Sequence, residues 1–203
     1  MHLFGRNAPQ TENRPDAAQA SHRLTLDLSR AFAFATMLAH SRASQIVEVA
    51  DLVAGMYLYG WERLSRYWES DAAERIEGLL QKMCHISPQR WNYWIQLYDK
   101  NRRSSEQAAS LPRILRRFQK APGAEPVPKP SEELTSLLKQ AEEIAPLSDI
   151  SSGRRIPILT SECVLLCVLR NRGTEISRRL AASGMNVAQL EKDALSSRRA
   201  LRP

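Results

Sequence analysis

The sequence predicts an all-α protein built from two related helical halves. Apolar residues recur at helical spacing along most of the chain, whereas the alternation typical of half-buried strands is weak. Apolar residues follow Thr25 at offsets of 3, 6, 7, 10 and 14, and the same offsets recur after Ser131. We therefore expect two pseudo-symmetric repeats of about 60 to 65 residues with a helical insertion between them.

Three helices are predicted in the first half. Thr25 is expected to be the N-cap of the first, because its hydroxyl precedes the apolar stripe. The second runs from Val49 to about Tyr59 and carries Asp51 in its first turn, where a carboxylate suits the helix dipole. Ser70 is expected to open the third.

Two helices are predicted between the halves. Ser87 is expected to cap the first, with Pro88 at its first position, and the second follows Ser110. Segment 121–130 contains four prolines and is predicted to be a linker, because proline removes the N–H group that a helix needs.

The second half repeats the pattern of the first. Ser131 opens a helix, Thr160 or Ser161 caps a strongly apolar one, and Gly184 ends a further helix as a left-handed cap. The predicted organisation is a flexible leader (1–20), a first repeat (21–80), a basic and aromatic-rich insertion with its linker (81–130), a second repeat (131–195) and a tail (196–203).

The net charge of +7 is local. Segment 81–130 holds ten basic and three acidic residues, so it carries the whole excess and the rest of the 203-residue chain is neutral. Such a segment suits an acidic protein partner or nucleic acid, or is simply a solvated face. Arg113, Arg116 and Arg117 are the candidate contact residues within it.

The composition indicates the cellular compartment in which we expect the protein. No apolar run approaches the roughly 18–20 residues of a membrane span, and the N-terminus lacks the apolar core of a signal peptide. Three cysteines do not make a disulfide framework, so we expect a cytoplasmic protein that contacts no membrane.

Two stretches of the second half resemble a known family. Residues 158–170 read ILTSECVLLCVLR and residues 178–187 read RRLAASGMNV. This pattern resembles half of a Clp N-terminal domain, the double-repeat helical module in front of the ATPase ring of Clp unfoldases. Thr25–Met56 can be laid on the same pattern without gaps, so the resemblance covers about 21–80 and 131–195.

The resemblance implies that the protein binds other proteins and has no catalytic activity of its own. Such domains dock substrates and adaptors, and some bind phosphorylated arginine through helix-capping threonines and paired glutamates. The residues that match those positions are Thr25, Ser131 and Glu162. In the first repeat Ala50 stands where the family carries its glutamate, and Asp51 and Cys163 stand where it carries histidine.

The aromatic residues offer a second candidate surface. Nine of the thirteen aromatics fall between Tyr57 and Tyr98. Core packing explains most of them, but Trp91 and Trp94 are also candidates for anchoring a partner in a groove.

The expected function is therefore non-enzymatic binding of a protein or peptide, as an adaptor or regulator whose partner is a Clp-type unfoldase or its substrates. The alternative is nucleic-acid binding through the basic insertion. The chain contains no P-loop motif, so the resemblance implies a stand-alone relative without the ATPase module. No nucleophile–base pair or metal-ligand spacing is recognisable, so we expect no enzyme, no cofactor and no metal.

Overall fold

The computed structural model describes residues 23–69, 71–103, 127–149 and 155–199, and it is mostly helical, which confirms the all-α class. The predicted leader, the helix after Ser110, segment 121–126 and residues 200–203 lie outside the described residues. The described helices are α1 (Leu26–Ser41), α2 (Val49–Leu64), α3 (Ala72–Met83), α4 (Pro88–Arg103), α5 (Glu132–Ile144), α6 (Ser161–Arg170), α7 (Glu175–Ala182) and α8 (Val187–Arg199).

Most predicted helix boundaries agree with the structure. The Ser131 hydroxyl caps α5 by accepting a hydrogen bond from the Leu134 N–H at 3.1 Å, and Thr160 rather than Ser161 caps α6. Gly184 follows the end of α7 with a φ of 85°, the left-handed conformation that glycine adopts without strain. Helix α2 is longer than predicted and continues to Leu64, after which Ser65–Tyr67 form a turn of 3-10 helix.

The structure adds short strands that the sequence did not predict. They are β1 (Arg23–Leu24), β2 (Ile46–Val47), β3 (Lys129–Pro130), β4 (Leu147–Asp149) and β5 (Arg155–Leu159). Segments of two to five residues are too short to show an alternating pattern. Their pairing depends on residues far away in sequence, which periodicity does not detect.

These strands join the two halves reciprocally. The strand before α1 pairs in parallel with the strand before α6, and the strand before α5 pairs in parallel with the strand before α2. The Thr25 N–H donates to the Leu159 carbonyl at 3.0 Å, and the Ser131 N–H donates to the Val47 carbonyl at 2.9 Å. The short strand that precedes the first helix of each half therefore pairs with a strand of the other half, and for the second half this strand lies in the predicted linker. Strand β4 adds to the first sheet by pairing antiparallel with β5.

Helices α2 and α6 form the centre of the core. Every residue of α6 from Ser161 to Leu169 is buried, and so is every residue of α2 from Val49 to Leu58. Helices that are buried on all faces are central elements, and the others pack around them. Among the described residues, no helix combines the length and the apolar composition needed to cross a bilayer.

Candidate functional site

The β1–β5 pair brings two of the predicted site residues to the same end of the molecule. Thr25 follows β1 at the start of α1, and its N–H is bonded to the last residue of β5. Thr160 comes next in the chain and caps α6, accepting a bond from the Cys163 N–H at 3.2 Å. Glu162 therefore lies in the first turn of α6, beside the N-terminus of α1. We call this region the Glu162 site.

The Glu162 carboxylate is buried and only half satisfied. The residue is 5% exposed. Its Oε1 accepts a hydrogen bond from Arg63 Nη2 at 2.8 Å, and Arg66 Nη2 lies 3.7 Å from the same oxygen. Its Oε2 is buried and has no hydrogen-bond partner among the described residues. Buried carboxylate oxygens without a partner are uncommon because desolvation leaves their charge uncompensated.

Further charged groups connect to this carboxylate. Arg63 also lies 3.7 Å from Asp27 Oδ2 in the first turn of α1. Arg66 donates to the Tyr67 hydroxyl at 2.6 Å and lies 3.4 Å from Asp193 on α8. The Tyr67 hydroxyl in turn donates to Asp193 at 3.0 Å. Burial raises the pKa of Tyr67 to about 12, so the phenol keeps its proton at neutral pH.

The Thr25 hydroxyl behaves differently from the other hydroxyl N-caps. Ser131, Thr160 and Thr174 each accept a hydrogen bond from the N–H three residues further on. Thr25 occupies the N-cap position of α1 without making this bond, and its Oγ1 is buried with no partner in the described part of the chain. The Glu162 site therefore contains two buried polar atoms for which the described residues supply no hydrogen-bond partner.

Ser131 lies at the other parallel strand pair, β2–β3, rather than in the Glu162 site. Its hydroxyl is engaged in capping α5. The carboxylate at that end is Asp51, which is fully buried and receives two hydrogen bonds from Arg42, at 2.6 and 2.8 Å, and one from the Glu48 N–H at 3.0 Å. Both of its oxygens have partners, so the buried carboxylate at this end, unlike that of Glu162, has no unbonded oxygen.

The structure corrects the expectation for Trp91. Its side chain is fully buried, with its ring centroid 6.0 Å from that of Tyr57, so it belongs to the core and cannot touch a partner. The cause is that α4 packs this face against α2. Trp94 is half-buried and meets Phe34 edge-on at 5.4 Å. Tyr93, on the same helix, is 58% exposed.

Arg113, Arg116 and Arg117 lie outside the described residues. The residues that sequence reasoning missed are Arg63, Arg66, Asp27 and Asp193. Each is an ordinary polar residue on a helix surface by sequence pattern. Arg63 and Glu162 are 99 positions apart, and local spacing carries no signal for such a pair.

The cysteines do not form a reactive site. All three are free and buried, and burial raises the pKa of each thiol, that of Cys167 to about 11. Thiols of this kind are protonated and unreactive at neutral pH. Among the described residues, no group of three or more His, Cys, Asp and Glu side chains is placed to hold a metal. A cavity of about 10 Å³ is lined by Met56, Trp61, Trp68 and Leu165 among others.

No family model, no curated protein and no solved structure matches the chain.

Proposed function

We propose that the protein is a non-enzymatic module that binds a protein or peptide, built from two Clp-N-like helical repeats and acting as an adaptor or regulator in the cytoplasm. A Clp-type unfoldase or one of its substrates is the proposed partner. The module needs no cofactor. Its three buried, unpaired cysteines are compatible with a reducing compartment.

The reciprocal strand pairing supports the double repeat. Thr25 and Ser131 hold equivalent places, since each directly follows a short strand, occupies the N-cap position of a helix and donates its N–H to the strand of the other half. Leu159 and Val47, the two acceptors, are also equivalent, because each ends the strand that leads into a central buried helix. This exchange is what a pseudo-two-fold axis between two repeats would produce.

The observation that carries the binding proposal is the pair of unbonded buried atoms in the Glu162 site, Thr25 Oγ1 and Glu162 Oε2. Both oxygens are enclosed, so an extended peptide across the N-termini of α1 and α6 would first have to displace the side chains that cover them, and its donors would then bond to both oxygens. A donor to a buried carboxylate contributes more than one to a neutral acceptor, because the hydrogen bond is charge-assisted. Peptide recognition here would therefore depend on Glu162 first and on Thr25 second.

The test is a peptide selection against the purified protein. A random peptide library is panned on the immobilised chain, and the affinity of an enriched peptide is measured by fluorescence anisotropy. We expect Glu162→Gln to weaken binding by about tenfold or more, and Thr25→Val by a smaller factor. Glu175→Gln is the matched control, because Glu175 is also a first-turn glutamate but lies on the exposed surface of α7.

Two results would overturn the proposal. One is a selection that enriches no peptide above background. The other is an enriched peptide whose affinity Glu162→Gln and Glu175→Gln change equally. Tight binding of a single-stranded oligonucleotide in place of any peptide would favour the nucleic-acid alternative, which the local charge of segment 81–130 supports.

A further inference from the structure

Strand β2 has a single neighbouring strand, β3, within the described ranges of the chain. On that side, the carbonyls of Gln45 and Val47 each accept an N–H group from β3 or from the residue after it, at 2.9 Å. The backbone groups of successive residues in a strand point to opposite sides. The N–H and C=O groups of Ile46 therefore point away from β3. We call this side of β2 the outer edge.

A single hydroxyl occupies the outer edge. Ser44 Oγ donates to the Ile46 carbonyl at 2.8 Å and accepts the Ile46 N–H at 3.1 Å. The Ile46 side chain is itself 47% exposed. A serine hydroxyl turns away by rotation about one bond, so both backbone groups of Ile46 can be released without opening the core.

The corresponding edge of β5 is covered by a strand. Strand β5 leads into α6 as β2 leads into α2, and Ile158 and Ile46 each lie two positions before the N-cap of the helix that follows. The Ile158 N–H donates to the carbonyl of Pro146 at 2.8 Å, and β4 then continues antiparallel to β5. The edge that β4 covers on β5 is thus the edge that the Ser44 hydroxyl covers on β2.

The chain that precedes β2 cannot supply such a strand. Four residues, 42–45, connect α1 to β2, and three of their N–H groups bond back to the last turn of α1. An antiparallel neighbour needs a strand and a turn that reverses the chain, for which these residues leave no room. A strand that pairs with the outer edge must therefore come from another region or from another molecule.

A second copy of β2 is complementary to this edge. Two residues directly opposite each other in an antiparallel pair can exchange both N–H···O=C bonds, and Ile46 presents both groups outward. In a pair centred on Ile46, Glu48 of one copy is opposite Ser44 of the other, and Val47 is opposite Gln45. No like charges face each other, and the two Ile46 side chains become cross-strand neighbours, which stabilises such a pair.

We infer that the outer edge of β2 is a self-association site, at which β2 of a second copy displaces the Ser44 hydroxyl and pairs antiparallel about a two-fold axis at Ile46. The contact joins two two-stranded sheets into one of four strands and uses the same surface on both copies. One residue pair gives a small interface, so the association is weak and depends on concentration. The site lies at the other strand pair from the Glu162 site and does not rest on the proposed peptide binding.

The test is sedimentation velocity of the full chain between about 1 and 500 µM. We expect the weight-average mass to rise with concentration from that of one chain towards that of two. Ser44→Ala removes the hydroxyl that competes for the Ile46 backbone groups. This variant should lower the midpoint concentration about two- to tenfold, the effect of one ordinary hydrogen bond.

A charge exchange at position 46 tests the two-fold register. Ile46→Lys and Ile46→Glu should each remain monomeric, because each places like charges directly opposite one another. An equimolar mixture of the two variants should associate, because opposite charges then face each other. This experiment uses only exposed side chains, so both variants should fold.

Proline substitutions test the role of the backbone. Ile46→Pro removes the outward N–H, while the bonds to β3 are made by the neighbouring residues, so the variant should fold and stay monomeric. Leu26→Pro is the matched control. Leu26 is 63% exposed and is the first residue of α1, where proline is tolerated, so this variant should self-associate like the wild type.

The inference is overturned if the wild type and Ser44→Ala both remain monomeric over the whole concentration range. It is also overturned if the mixture of Ile46→Lys and Ile46→Glu associates no more than either alone, or if Leu26→Pro abolishes association as Ile46→Pro does. If the chain is monomeric and Ile46→Pro instead abolishes binding of an enriched peptide, the edge binds a peptide and the second copy is the wrong occupant. None of the first three outcomes bears on the Glu162 site, so failure here is distinguishable from failure of the proposed function.

Discussion

Gly55 marks the closest approach of α1 and α2. A Cβ atom at this position would lie 2.3 Å from the Ala31 carbonyl oxygen and 2.9 Å from the Ala31 Cα and carbonyl carbon. Because the obstacle is backbone, no side chain can rotate to make room. Helix α1 would have to move by about 1 Å to restore ordinary contact distances.

The expected cost follows from these distances. Overpacking a close-packed interior costs about 1–3 kcal/mol, and a backbone obstacle belongs at the upper end. Replacing a helical glycine by alanine also stabilises the folded state by about 0.5–1 kcal/mol, which offsets part of this cost. We therefore expect Gly55→Ala to lower the free energy of unfolding by about 2 kcal/mol, which corresponds to a fall of about 4–8 °C in melting temperature for a domain of this size.

Gly78 provides the matched control. It also lies inside a helix, α3, but a Cβ atom there would have no neighbour within 4 Å in the part of the chain that the structure describes. Gly78→Ala should raise the free energy of unfolding by about 0.5–1 kcal/mol, because only the conformational gain remains. Replacing glycine by alanine should therefore lower the free energy of unfolding at position 55 and raise it at position 78. Urea unfolding measures both, with an unchanged m-value as the check on two-state behaviour. A Gly55→Ala protein at least as stable as the wild type would refute the inferred packing of α1 on α2.

Two further predictions concern buried groups. Arg42→Ala removes the guanidinium that donates to both Asp51 oxygens, leaving only the bond from the Glu48 N–H, and should lower the free energy of unfolding, measured in urea, by about 3–5 kcal/mol. Asp51→Asn in the Arg42→Ala background should recover part of that loss, and an Arg42→Ala protein of wild-type stability would contradict the role of this pair. The three thiols should react with a disulfide reagent at pH 8 only after unfolding, and rapid labelling of the folded protein would contradict their burial. Folding raises the pKa of each thiol, so the stability that the protonated thiols contribute should be fully present below about pH 8.5 and decline at higher pH, for Cys167 as the pH rises towards about 11.

The helices were predictable because their signals are local. The hydroxyl of Ser131 and the positive φ of Gly184 act on residues within one turn, so spacing in the sequence locates them. The extension of α2 to Leu64 was missed because Tyr57, Trp61 and Leu64 all contribute to the core, so that no single stripe marks where the helix ends.

The strand pairs and the arginine partners were not predictable, because they depend on which distant segments meet. Strand β1 has two residues and its partner is more than a hundred positions away. Arg63 gives no sequence signal that separates it from any solvated arginine on a helix. Glu162 itself was predicted through the family resemblance. Its position in the first turn of α6 lets the helix dipole stabilise its negative charge. The dipole does not explain why one of its oxygens has no hydrogen-bond partner among the described residues.

Each of the two central helices, α2 and α6, carries a buried carboxylate in its first turn. The two carboxylates differ in their hydrogen bonds, and the difference suggests a structural role for one and a binding role for the other. Asp51, in the first turn of α2, is fully buried and bonded at both oxygens, so it stabilises the junction of α1, α2 and α3 through Arg42, which also donates to the Cys84 carbonyl at 3.0 Å. Glu162, in the first turn of α6, is also buried, but within the described part of the chain only one of its oxygens is bonded, and the donor is a half-exposed arginine. A carboxylate kept only for stability would be expected to resemble Asp51. The incomplete bonding of Glu162, together with the unbonded Thr25 hydroxyl, is therefore the strongest reason to look for a ligand at this end of the molecule.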